Sequence, residues 1–432
     1  MPAKTSNLRR TLMLNDTVNP AITYSLSRRR FLKGLGLVAG GLVLGTLPGM
    51  AQSTIPIGGL YPLTGAAALF GPKFVQTAQL AVDQVNAAGG PLDRSLNLVV
   101  KDSGSAPQQA TSAIQELINL SGVPAVSGAA TSFATVAVAP IAAANEVVLI
   151  SPSAATTELT TLDDHDFVFR TFPSNALQGV ALAKLALQEK FKTLSVIHRN
   201  DSFANTLAGA LVKAFQARGG TVLEDVSYPP NETSFRSALE RANRSNPDVI
   251  VPIPLAEDGL LLIKQAFQLG IEKLRLWPSS IKNQEFVDDL VKTLGKGALE
   301  GIEGTFPSMP QSLSAKRYAA QYQQRFGEAP TPFTANVYDS LFVIALAIQA
   351  AGKATGPAIR DALRTIANPP GQVVGVDEFA KAKDLLGQGK AINYSGASGP
   401  VDFDEHGDVL APVGIYEIHD GKIVETGKIP AN

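Results

Sequence analysis

From Thr54 onward the chain alternates between two patterns: a short unbroken apolar run, then a longer stretch with apolar residues every three or four positions. Runs of the first kind suit strands buried on both faces, and stretches of the second suit helices laid over them. Thr54–Leu60 reads as a strand. Gly71–Asn86 follows as a helix with Val75, Ala78, Val82 and Val85 on one face, stopped by Ala87-Ala88-Gly89-Gly90-Pro91. Then come strand Leu96–Lys101, helix Pro107–Leu120, strand Val123–Ser127, helix Ser132–Ala144 and strand Val147–Ile150. After Arg170-Thr171-Phe172-Pro173 the rhythm restarts with helix Asn175–Lys190, strand Thr193–His198, helix Ser202–Arg218 and strand Thr221–Val226. Helix Ser234–Ser245, strand Asp248–Pro252, helix Glu257–Leu269 and strand Leu274–Trp277 complete it. Two successive α/β patterns predict two similar lobes, each a parallel sheet covered by helices.

Residues 314–367 read as mostly helical. The apolar run Val337–Ala351 falls short of the about 18–20 residues a bilayer span takes, so a buried helix is expected. The tail is β-rich: Gly399–Phe403, a turn at Asp404–Asp408, then Val413–His419 and Lys422–Thr426. Asp420-Gly421 between the last two is a strong hairpin signal.

The N-terminus has a different pattern. Ser27-Arg28-Arg29-Arg30-Phe31-Leu32-Lys33 precedes Gly34–Leu47, 14 weakly apolar residues with five glycines. Paired arginines, an aromatic, a leucine and a lysine ahead of a short apolar run have the order of a twin-arginine export signal. Gly49 and Ala51 suit cleavage after Ala51, so residues 1–51 are expected to be removed and the protein to work outside the cytoplasm, in the periplasm or another extracytoplasmic space. The remaining 381 residues are natural for two domains and carry 30 basic and 37 acidic side chains, formally −7. That balance argues against nucleic acid, which needs a basic patch, and against anionic lipid. With no cysteine there is no disulfide, thiolate nucleophile or Fe–S cluster.

A search for chemistry finds little. The histidines at 165, 198, 406 and 419 are isolated, and no HExxH, GxSxG or GxxxxGK[ST] pattern occurs. Acid pairs Asp163-Asp164 and Asp288-Asp289 sit in polar contexts and read as solvated faces. Neither an enzyme, a cofactor nor a metal is called for. Four polar loops after strand ends do look purposeful: Thr64–Gly71, Gly128–Ser132, Ser151–Thr156 and Arg199–Phe203. Ligands of open α/β sheets bind beyond the strands' carboxyl ends, and a helix N-terminus there seats an anion. The plainer reading makes Ser132, Thr156 and Ser202 ordinary helix N-caps.

At this point the chain resembles the periplasmic leucine/isoleucine/valine-type solute-binding proteins of ABC importers. The resemblance is carried by Ile57–Gly65, Gly71 with Val85–Gly90, Asp102 with Pro107–Ala110, and Ala139-Pro140-Ile141. Ile150–Ala154, Phe169-Arg170-Thr171 and Tyr394–Asp404 with Gly407-Asp408 extend it over essentially all residues after the leader. It implies two Rossmann-like lobes hinged by three crossings with a ligand cleft between them. Lobe I is then 52–172 and 304–397, and lobe II 173–303 and 398–432. The crossings fall near Thr171–Asn175, Gly301–Pro307 and Ala397–Pro400.

The resemblance further implies a carboxylate seat at Ser132 and the Ser153-Ala154-Ala155 loop, with an apolar wall at Phe70, Phe203 and Phe333. The sequence departs from the amino-acid-binding pattern where it matters most. An expected threonine is Ala155, with Thr156 adjacent, and cleft tyrosines are Phe70 and Phe203. The acid that would pair with a ligand ammonium falls on Ser280. Either Glu257, Asp258, Asp339 or Glu285 supplies that charge, or the ligand lacks an amino group, since a buried unpaired ammonium is costly. The implied function is that of a monomeric receptor delivering a small, partly apolar carboxylate, a branched-chain amino acid or related organic acid, to an ABC permease by hinge closure, with the permease its only link to the membrane. The alternatives are a sensor of amides, urea or aromatic acids on the same fold, and a secreted hydrolase with a dispersed site.

Overall fold

The computed structural model describes residues 54–308 and 311–429. The twin-arginine motif, its apolar stretch and the cut after Ala51 lie outside them. The first half folds as β1 (Ile55–Tyr61), α1 (Gly71–Ala87), β2 (Leu96–Asp102), α2 (Pro107–Asn119), β3 (Ala125–Gly128), α3 (Ser132–Ala144), β4 (Val148–Ser151) and β5 (Val168–Arg170). All five strands pair in parallel in the order β2-β1-β3-β4-β5. Helices cover both faces, so every residue of β3 and β4 is buried, which is why those strands read as continuous apolar runs.

The second half runs α4 (Asn175–Gln188), β6 (Thr193–Arg199), α5 (Ser202–Gln216), β7 (Thr221–Tyr228), α6 (Arg236–Asn243), β8 (Val249–Ile253), α7 (Ala256–Gln268), β9 (Leu276–Trp277), α8 (Gln284–Leu294) and β10 (Glu303–Pro307). Strands β7-β6-β8 are parallel, and so are β9 and β10. The Ile250 amide, donating to the Lys273 carbonyl at 2.8 Å, ties the two groups together. The chain then returns to the first lobe with α9 (Leu313–Phe326), α10 (Thr334–Ala351), α11 (Gly356–Ala367), β11 (Gln372–Val374), α12 (Phe379–Gly387) and β12 (Ile392–Tyr394). It finishes in the hairpin β13 (Val413–His419) and β14 (Lys422–Ile429), antiparallel on β10. Asp420 and Gly421 both take positive φ, 49° and 73°, as the tight turn demands.

Three expectations are corrected. Gly399–Phe403 is not a strand: Pro400 makes only an isolated bridge to Ser395, and at Phe403 the backbone is met by a side chain, the amide donating to Asn368 Oδ1 (2.9 Å) and Asn368 Nδ2 donating to the carbonyl (2.7 Å). The boundaries at 303/304 and 397/398 also shift. β10 pairs with β9 and β13 through Pro307, whereas Val401, Phe403 and Val409 pack in the first lobe's core. Finally, α10 begins three residues before the apolar run and reaches 18 residues, long and apolar enough to cross a membrane. It is nonetheless 78% buried within the protein, against α1, α11 and α12.

On β10, Glu303 stands directly opposite Glu417 of β13. Burial, with Glu189 and Glu417 nearby, pushes its carboxyl up to about 7. A raised value means the stabilising contribution is full below the ordinary carboxylate range and is lost as pH rises through about 7. Glu303→Gln should therefore raise the melting temperature at pH 8 and leave it close to wild type at pH 4. An equal gain at both would contradict this.

Candidate functional site

Loops leaving the carboxyl ends of strands in both sheets meet around a cavity of about 550 Å³. The first sheet sends Phe70 after β1, Thr131 and Ser132 after β3, Ser153 after β4 and Phe172 after β5. The β7-β6-β8 sheet sends Phe203 after β6 and Leu255 after β8, and the neighbouring β9-β10 sheet sends Ser279 and Ser280 after β9. Phe333, just ahead of α10, closes the space by packing on Phe70 (5.3 Å between centroids) and Phe172 (5.1 Å). It touches the cores of both lobes, so the cavity lies between them.

Its polar floor is the start of α3. Gly128 leads the chain in with φ +137°; a side chain there would come within 2.4 Å of the Leu60 carbonyl. The first turn's N–H groups point outward by helix geometry, since the earliest α3 contact is the Thr135 amide on the Thr131 carbonyl at 2.9 Å. Thr131 Oγ1 is buried and meets no hydrogen-bond partner among the described residues. Ser132 Oγ accepts the amides of Ala155 and Thr156, each at 3.2 Å, which leaves its own proton to donate. Ser153 Oγ donates to the Ala130 carbonyl (2.7 Å) and Ser280 Oγ to the Pro254 carbonyl (2.7 Å). The α3 amides with the Thr131 and Ser132 hydroxyls form a donor-rich end facing a phenylalanine wall, and no lining side chain is charged.

The expected residues Phe70, Ser132, Ser153, Phe203, Ser280 and Phe333 thus come together, while Ala154, Ala155 and Thr156 do not line the cavity. These three are buried behind it, and their amides are taken by Ser151 Oγ and Ser132 Oγ. Arg170 holds that loop: Nη1 donates to the carbonyls of Thr156 (2.8 Å) and Ala154 (3.3 Å), while Nε and Nη2 grip Asp408 at 2.6 and 2.5 Å. The N-cap reading also fails. Ser132 and Ser202 are the first residues inside their helices, Asp201 caps α5 through the Ala204 amide (2.9 Å), and Thr156 precedes no α-helix.

None of the candidate acids faces the cavity. Asp258 accepts the Leu255 amide (2.9 Å) and Tyr228 Oη (3.0 Å) and pairs with Arg199 (3.4 Å). Asp339 is fully buried and accepts from Tyr394 Oη, the amides of Ala397 and Ser398, and Ser398 Oγ; burial pushes its carboxyl up to about 6. Glu257 and Glu285 line a separate surface pocket beside Gly65–Leu69. Reading the sequence missed Thr131, Phe172, Leu255 and Ser279. Phe172 obeys the same strand-end rule as the others and would have followed from it had β5 been anticipated; Ser279 follows the anticipated strand Leu274–Trp277, whose loop was not counted among the four.

This architecture has known relatives. A sequence profile of the periplasmic binding proteins matches residues 54–421. The chain belongs to that family. As a periplasmic binding protein it takes an extracytoplasmic location. It is 27% identical over 395 residues to Leu/Ile/Val-binding protein homolog 3 of Brucella melitensis, covering 91% of this chain and 99% of that one. Among solved structures it resembles the branched-chain amino acid transporter substrate binding protein LivJ of Streptococcus pneumoniae in complex with isoleucine. That match has a TM-score of 0.73 and 25% identity, over 88% of this chain and 100% of that one. A solute binding protein of an R. palustris ABC transporter in complex with 4-hydroxybenzoate gives a TM-score of 0.72 at 21% identity, over 88% and 97% of the two chains.

Proposed function

We propose that this periplasmic binding protein is the receptor for a small, partly apolar carboxylate, which it passes to an ABC permease without making or breaking a bond. The observation that carries the reading is the cavity's polarity: one donor-rich end at α3, an aromatic body, and no charged lining side chain. A carboxylate at a helix N-terminus is favoured by the free amides and the dipole there. Bound ligand touches strand-end loops of both lobes, so it stabilises their closed arrangement and shifts the hinge population towards it. A monomer suffices for this, with the permease as a transient partner.

Within that reading the ligand carries no ammonium. An amino group would sit near Ser280, whose hydroxyl proton already goes to Pro254, and an unpaired buried ammonium is expensive. The 4-hydroxybenzoate complex of the R. palustris protein illustrates such a ligand on this fold; the isoleucine complex of LivJ illustrates the opposite case. Calorimetry with leucine and 4-methylpentanoate, its analogue without the amino group, separates the two. The analogue should bind at least as tightly; a clear preference for leucine would overturn the reading.

We further propose that export uses the twin-arginine motif at Arg28-Arg29. Arg28→Lys with Arg29→Lys should hold the protein in the cytoplasm on fractionation, and normal export would reject this assignment.

A further inference from the structure

Behind the partition formed by Phe172, Ser279 and Phe333 lies a second cavity of about 640 Å³, which shares those three residues with the first. Phe333 holds this partition at φ +69°. That is a rare backbone conformation for a bulky side chain, of the kind that collects at ligand clamps. Lys282 lies in the second cavity, its side chain mostly buried, with Nζ 2.9 Å from Glu425 Oε1 and 3.6 Å from the centroid of the Phe306 ring. Thr331 Oγ1, also lining it, is buried without a hydrogen-bond partner among the described residues.

We infer that the two cavities form one elongated site, in which Lys282 and Glu425 recognise a hydroxyl at the far end of an apolar carboxylic acid whose carboxylate sits at α3. This rests on the carboxylate reading above. An ammonium has three N–H donors; Glu425 takes one and the Phe306 face shields another side, which leaves one for the ligand. Glu425 has spare acceptor sites. The pair therefore presents one donor and one acceptor with little net charge. A hydroxyl satisfies both at once, whereas a second carboxylate would meet Glu425 in repulsion and a methyl would leave both unused. Sites built around a hydroxyl reject the analogue lacking it far more strongly than apolar pockets reject an extra methylene.

The test is calorimetry with 3-phenylpropionate and 3-(4-hydroxyphenyl)propionate, which differ only in that hydroxyl. The wild-type protein should bind the hydroxylated acid at least tenfold more tightly. In Lys282→Met, which keeps the alkyl stem against Phe306, the ratio should fall to within about twofold of one. Glu425→Ala, at a side chain more than half exposed, should lower the ratio too and gives a second variant that leaves the core alone. A wild-type ratio near one, or a tenfold ratio surviving Lys282→Met, would overturn the inference while 3-phenylpropionate binding upheld the carboxylate reading. Failure of both acids to bind the wild type would overturn both.

Discussion

Thr131→Val should weaken carboxylate binding by about 10–100-fold while leaving the empty protein as stable as before or slightly more so. The hydroxyl is buried and unpartnered, so without ligand it contributes only its desolvation cost, about 1–3 kcal/mol, which an apolar group of the same shape removes. A hydrogen bond to a charged group is worth about 1.5–3 kcal/mol, and that is what the bound state loses. Ser132→Ala should behave differently. It strips two buried amides, Ala155 and Thr156, of their acceptor, so the melting temperature and the affinity should fall together. Thermal melts with and without 4-methylpentanoate distinguish the cases. Unchanged affinity in Thr131→Val would remove Thr131 from the seat.

Arg170→Met should cost about 3–5 kcal/mol of stability, because it leaves a buried Asp408 without its partner. Against a typical total of about 5–15 kcal/mol this is a severe loss. It also frees the carbonyls of Ala154 and Thr156, so the loop under Ser132 loosens and affinity should drop in step. Asp408→Asn added to Arg170→Met should restore part of the stability, since the stranded charge carries most of the penalty. Urea denaturation of the two variants checks this; an equally unstable double variant would contradict it.

Most of the fold was legible because parallel strands buried on both faces must be apolar throughout and their covering helices must carry an apolar stripe. β5 escaped because Val168–Arg170 is too short to show a period. β10 escaped because Glu303-Gly304-Thr305-Phe306-Pro307 has no apolar run; it becomes a strand through pairing with β9 and with the distant tail at β13. The same long-range effect moved the lobe boundaries, since Val401 and Phe403 choose their core by packing and not by sequence neighbourhood. At the site, position was legible and orientation was not. Strand-end logic pointed to the loops carrying Ser132, Ser153 and Phe203, and the family resemblance to Ser280, but nothing in the sequence told that Ser132 Oγ braces the Ala155–Thr156 backbone while Thr131 Oγ1 meets no partner among the described residues. Such choices depend on hydroxyl rotamers and loop paths fixed only when both sheets are assembled.

A crystal structure of the protein with 4-methylpentanoate bears most directly on the central claim. The carboxylate should lie within hydrogen-bonding distance of Thr131 Oγ1 and Ser132 Oγ at the start of α3, with the branched end against Phe70 and Phe333. A ligand bound outside the space between the lobes, or seated there with its carboxylate turned away from α3, would contradict the account.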